Sequence, residues 1–150
     1  MGMKIGIASD HGGRELKHLV VEFLDSQNIE VQDYGVARDD ATSVDYPDYA
    51  EKLAKDVAAG KCERGILICG TGIGMSIAAN KVAGIRATLV WDDFTAKMSR
   101  LHNNSNVLCL GERVLNHHRA LDLVQIWLEA SFEGSRHQRR LDKISALETQ

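Results

Sequence analysis

The sequence is short of cysteine, of long apolar runs and of surplus charge, and each shortage excludes something. Its three cysteines, Cys62, Cys69 and Cys109, are an odd number without CxxC spacing. Neither a disulfide framework nor a zinc site is expected, and a reducing, cytoplasmic setting is the simple reading. No stretch approaches the ~20 apolar residues of a membrane span. Met1-Gly2-Met3-Lys4 leads straight into a strand, without the charged and apolar regions of a secretion signal. A net charge of −3 leaves no electrostatic footprint for nucleic acid. A Ser-His-Asp order, a metal constellation and a nucleotide-binding loop are missing too, so neither a metal nor a cofactor is expected.

What remains is 150 residues with 44% hydrophobic content, enough for a single domain spanning 1–150 with a core of its own. Its organising stretch is Gly65-Ile66-Leu67-Ile68-Cys69-Gly70-Thr71-Gly72-Ile73-Gly74-Met75-Ser76. The apolar run is too brief for a helix and reads as a strand buried on both faces. Alternating glycines follow, and from Ile73 to Asn80 the residues read as a small-residue helix. Such a loop leaves backbone N–H groups pointing outward, ready for an anion. A P-loop would need Gly-Lys-Ser/Thr where Gly74-Met75-Ser76 stands, and the Rossmann fingerprint would need its third glycine at Met75. A thiol phosphatase cradle would need an arginine a few residues after the cysteine, and none stands between Cys69 and Lys81. The plain reading of Cys69 is a buried structural thiol; the glycine spacing tips it toward a thiol beside an oxyanion hole.

Taken in order, Lys4 to Ser9 reads as a first strand and Asp10-His11-Gly12-Gly13 as the loop leaving it. Leu16, Leu19, Val20, Phe23 and Leu24 mark a helix ending near Asn28, and Ile29 to Tyr34 a second strand. Tyr46-Pro47-Asp48 opens a helix that Gly60 stops, with Tyr46 either lining a pocket or packing on the core. Arg86 to Val90 and Val107 to Leu110 read as the fourth and fifth strands, with a short helix capped by Asp92-Asp93 between them. The polar loop His102-Asn103-Asn104-Ser105-Asn106 is expected at the same sheet edge as Asp10 and His11, and Arg113 at the carboxyl edge. Ala120, Leu121, Val124, Trp127 and Leu128 stripe the last large helix, whose start the pair His117-His118 caps. In the tail Arg136 and Arg140 share a helix face with Lys143, while Leu141, Ile144 and Leu147 line another. Like charges at that spacing suit a phosphate, and the apolar stripe suits a second copy of the chain.

A thiol beside an oxyanion hole, an Asp-His pair, a His-Asn loop and distant arginines fit proton transfer next to a carbonyl in a small phosphorylated molecule. These residues resemble the type B ribose-5-phosphate isomerases of the ribose/galactose isomerase superfamily. The likeness runs through Ser9-Asp10-His11-Gly12-Gly13, Asp45-Tyr46-Pro47, Ile68 to Gly74, Ser76 to Lys81, His102-Asn103, Gly111-Glu112-Arg113 and Gly134-Ser135-Arg136-His137. It implies an α/β fold, a three-layer Rossmann-like sandwich on a five-stranded parallel sheet. It also implies a homodimer with shared active sites, or a tetramer, whose helix at about 136–148 packs on a partner subunit. The implied reaction is metal-free interconversion of ribose 5-phosphate and ribulose 5-phosphate in the pentose phosphate pathway. By resemblance Cys69 is the base, and Thr71 with Gly70, Gly72, Ile73 and Gly74 holds the enediolate. His102 opens the sugar ring with Asp10, Tyr46 and Asn103 meet hydroxyls, and His11, Arg113, Arg136 and Arg140 bind phosphate. Where another branch of the family carries a glutamate base this chain has Met75, and Ser135 stands where a second glycine is expected. Isomerases of six-carbon sugars such as allose 6-phosphate or galactose 6-phosphate, and a non-catalytic phosphosugar-binding protein, are the alternatives.

Overall fold

Burial on both sides explains why the central strands read as unbroken apolar runs. The computed structural model describes residues 3–149, so Met1, Gly2 and Gln150 lie outside the described residues. Its strands are β1 (Lys4–Ser9), β2 (Glu30–Asp33), β3 (Arg64–Cys69), β4 (Ala87–Leu89) and β5 (Val107–Gly111). They form one parallel sheet in the order β2-β1-β3-β5-β4. The helices are α1 (Arg14–Ser26), α2 (Tyr46–Ala58), α3 (Ile73–Ala79), α4 (Asp93–Leu101), α5 (His117–Glu129) and α6 (Arg136–Ala146).

Two apolar layers sandwich the sheet, as the three-layer reading expects. Ile5, Ile7, Ile66, Ile68, Leu108 and Leu110 face α1, α4 and α5, with Trp127 fully buried among them. Ala8, Leu67, Cys69 and Cys109 face α2 and α3 on the other side. The split follows from the period of two along each strand. The chain leaving β1 turns onto the first face and the chain leaving β3 onto the second, so their loops part and open a crevice at the carboxyl edge.

Capping chemistry sets where several helices start. Asp92 closes a capping box with Thr95, accepting its N–H at 2.8 Å. For α5 the cap is Asn116, whose Oδ1 accepts the N–H groups of His118 and Arg119, and not the His117-His118 pair. An imidazole next to the cap cannot do this, because the orphan N–H groups of a first turn are reached from the residue before it. The first turn of α1 borrows its acceptor from far away: Leu16 N–H donates to Glu112 Oε1 at 2.6 Å. That bond ties the loop after β1 to the end of β5.

Candidate active site

Three loops converge at the carboxyl edge of β1, β3 and β5. Asp10 Oδ1 accepts the Gly12 N–H at 2.9 Å and holds a single 3-10 turn over His11–Gly13. Arg113 N–H donates to Gly70 O, and Glu112 N–H to Cys69 O. A Cβ added to Gly12 would stand 3.3 Å from Asp10 Oδ1, 3.4 Å from Gly70 N and 3.5 Å from Arg113 Nη2. Those distances put Asp10, the glycine loop and the Arg113 guanidinium around one small space. Among the described residues, no hydrogen bond or ion pair engages that guanidinium, so it is free for an anion. His11 Nδ1 accepts the Val44 N–H at 3.2 Å, which leaves its Nε2 as the protonated nitrogen, able to donate.

The glycine loop has the form its letters suggest. Gly72 takes φ +80°, a conformation that side chains resist, and there its N–H donates to Cys69 Sγ at 3.1 Å. Thr71 Oγ1 accepts the Ile73 N–H. Among the described residues the N–H groups of Gly70, Thr71 and Gly74 have no partner, so they remain open to a ligand oxygen. Tyr46 closes the loop from the side: a Cβ on Gly74 would come within 2.4 Å of its ring. Of the three thiols only Cys69 belongs to this loop. Burial pushes the Cys109 thiol well up, with Cys69 beside it adding to the shift, so Cys109 is inert filling.

His102 does not join this cluster within the chain, contrary to the expectation of a common edge. Its loop enters β5 rather than leaving it, so in a parallel sheet it stands at the amino edge. Asn106 O accepts the N–H of Gly65 near the beginning of β3, whereas Cys69 ends that strand. The run from Arg64 to Cys69 is ~16 Å at about 3.3 Å per residue, beyond the reach of an imidazole. Much of the polar loop is structural: Asn106 Oδ1 accepts from Arg86 N, Arg100 Nη1 donates to Asn104 Oδ1, and Trp127 Nε1 donates to Ser105 Oγ. His102 is left half-buried and Asn103 exposed.

At that amino edge the tail supplies a second cluster. His102 stacks on His137 with ring centroids 4.0 Å apart, and Glu133 N–H donates to Leu101 O at 3.0 Å. Arg136 and Arg140 are exposed next to them, without an ion pair among the described residues. Leu141 is buried, but Ile144 and Leu147 are 51% and 64% exposed along a groove of about 540 Å³. The predicted site therefore divides in two: Asp10, His11, Tyr46, Cys69, Gly70 to Gly74 and Arg113 at one edge, His102, Asn103, Arg136 and Arg140 at the other. Sequence reasoning missed the supports Glu112, Glu133 and His137. Nothing near Glu112 or Glu133 in the chain signals a contact with Leu16 or His102, and Glu112 and His137 were legible only as parts of motifs.

A family described as Ribose/Galactose Isomerase matches residues 5–144. The chain belongs to that family. Among its relatives, ribose-5-phosphate isomerase B of Escherichia coli K12 is 48% identical over 145 residues, covering 97% of this chain and 96% of that one. The solved structure of Clostridium thermocellum ribose-5-phosphate isomerase B has 52% identity and a TM-score of 0.95, covering 98% of each chain. Mycoplasma genitalium ribose-5-phosphate isomerase B, solved with bound ribulose-5-phosphate, has 45% identity and a TM-score of 0.94 over 100% of this chain and 99% of that one. The likeness to these structures agrees with the five-stranded parallel sheet that the resemblance implied.

Proposed function

We propose that the protein is an aldose-ketose isomerase that interconverts D-ribose 5-phosphate and D-ribulose 5-phosphate, a step of the pentose phosphate pathway, in the cytoplasm. The observation that carries this reading is the Gly72 N–H aimed at Cys69 Sγ within a loop of unpaired N–H groups. Sulfur stands there as an acceptor, a role that a thiolate fills better than a thiol. Cys69 takes the proton from C2 of the open-chain aldose and returns it to C1 while the O2 hydroxyl proton passes to O1, and no metal enters the step. Charge develops on the two oxygens of the cis-enediolate, where the open N–H groups of Gly70, Thr71 and Gly74 and the Thr71 hydroxyl hold it. Asp10 assists ring opening, Tyr46 meets a sugar hydroxyl, and His11 and Arg113 hold phosphate.

The remaining groups come from a second copy of the chain. The partner subunit's His102 opens the furanose ring, Asn103 of the partner subunit contacts a hydroxyl, and the partner's Arg136 and the partner's Arg140 complete the phosphate site. The ~16 Å between the edges of one sheet supports this division. So do the exposed Ile73, Ile77, Trp91 and Phe94, each of which is half exposed or more and gains about 1–2 kcal/mol if the remainder is covered. The homodimer is the minimal unit on this reading.

The test is a proton NMR time course of ribose 5-phosphate with metal-free protein in D₂O, beside allose 6-phosphate. Ribulose 5-phosphate forming with exchange of the C2 hydrogen is the expected result. Faster exchange of the six-carbon sugar moves the assignment to a hexose phosphate, and no exchange with either sugar overturns the isomerase reading.

A further inference from the structure

The cluster at the amino edge holds more than ring opening needs. We propose that His102, Glu133 and His137 form a site for one zinc-type divalent transition-metal ion, whose binding blocks the isomerase by occupying His102. One donor atom from each residue lies within 4.8 Å of the other two. His102 Nε2 and Glu133 Oε1 are 3.7 Å apart, too far for a hydrogen bond. Ligands at ~2.0–2.1 Å from a tetrahedral ion stand about 3.3 Å from one another, so the three need only draw together modestly.

An independent observation points to a ligand. His137 is 5% exposed, and its Nε2 is buried without any hydrogen-bond partner among the described residues. Buried polar nitrogens are nearly always satisfied, and an ion would satisfy this one. Two imidazoles and a carboxylate are also the donor set of open zinc sites, which keep a fourth position for water or another ligand. Nitrogen donors favour Zn²⁺, Co²⁺ or Ni²⁺ over Mg²⁺ and Ca²⁺.

Two features temper the affinity. The rings are stacked with an interplanar angle of 15°, and an ion lies in the plane of each imidazole that binds it, so the rings must turn apart as it enters. His102, with 38% of its side chain exposed, is free to make that turn. Arg136 and Arg140 put positive charge on the same cluster, which opposes a dication. The inhibitory consequence rests on the proposed role of His102: with Nε2 on an ion, it cannot exchange a proton with the ring oxygen.

The test uses tag-free, metal-stripped protein carrying Cys69→Ser, which removes the thiol as a competing ligand. Titration with Co²⁺ should show the visible bands of a four-coordinate ion saturating at one ion per chain, displaced by Zn²⁺. Glu133→Gln, on the surface, and His137→Gln should each weaken binding by about tenfold or more. With Cys69 intact, Zn²⁺ should inhibit conversion of ribose 5-phosphate, and Glu133→Gln should raise the inhibitory concentration about tenfold, each variant being measured against its own metal-free rate. Absence of the Co²⁺ bands, or binding equally tight in Glu133→Gln, overturns the site. Saturated binding without loss of activity overturns the inhibition. Because the Co²⁺ titration needs no turnover, it decides the site even if the isomerase reading fails.

Discussion

Mixing two inactive variants should restore activity, by an amount that follows from the division of the site between sheet edges. Cys69→Ala removes the proposed base at the carboxyl edge and His102→Ala the proposed ring opener at the amino edge. Each parent dimer is then defective at both of its sites. If subunits reassort at random, half of the dimers are hybrids. In a hybrid one site carries both lesions and the other carries neither, so the mixture should recover about a quarter of wild-type activity. The assay is ribulose 5-phosphate formation after co-refolding equal amounts of the two variants. A control pairs Cys69→Ala with Asp10→Ala. Their loops meet within one chain, through Asp10 N–H donating to Ile68 O and the close approach of Gly12 to Gly70, so no hybrid has an intact site and nothing should be recovered. Activity that stays at the parental level in the first mixture would refute the two-chain site. Recovery in the control would refute the assignment of Asp10 and Cys69 to one chain.

Gly74→Ala sets a new Cβ 2.4 Å from the Tyr46 ring, so Tyr46 must swing off the loop. Losing one sugar contact at about 1 kcal/mol should raise KM about fivefold with the fold intact, and an unchanged KM would count against Tyr46 as a substrate contact. Ser135 holds φ 54° and ψ −129°, a region that belongs to glycine. Ser135→Gly should therefore stabilise the protein by about 1 kcal/mol, read from urea unfolding, after the extra freedom of the unfolded chain offsets part of the relief. His137 is held below its ordinary value of 6.5, first by burial and then by His102, Arg136 and Arg140. Its pKa is higher unfolded than folded, so its contribution is full above about 6.5 and is lost as pH falls toward the depressed folded value. Thermal unfolding between about pH 5 and 7.5 should show a slope that His137→Phe flattens, and an unaltered slope would assign the acid sensitivity elsewhere.

Much of the fold was legible in the letters because the signals are local. The buried runs Ile5 to Ala8 and Ile66 to Cys69, the apolar stripes of α1, α2 and α5, and the Pro47 start each depend on neighbours within a few residues. Strand ends were less legible: β4 keeps only Ala87–Leu89 of the expected Arg86 to Val90, and at its start the Arg86 N–H is taken by the Asn106 side chain instead of a neighbouring strand. The cap of α5 was misplaced because a histidine pair resembles a cap in composition, although Asn116 makes the bonds.

For the candidate site, the sequence alone determined the glycine loop, its thiol and the turn after β1, since φ +80° at Gly72 and the Asp10 cap are chemistry contained in a few consecutive residues. It also contained, unread, the side on which His102 stands, because in a parallel sheet a loop entering a strand lies opposite a loop leaving one. Only the tertiary structure decided the rest. The strand order β2-β1-β3-β5-β4 brings the ends of β1 and β3 side by side, and long-range packing sets Glu112 on α1 and His137 on His102. Those contacts join residues 35 to 96 positions apart, at which distance in the chain no propensity or periodicity acts and only the shared core holds them together.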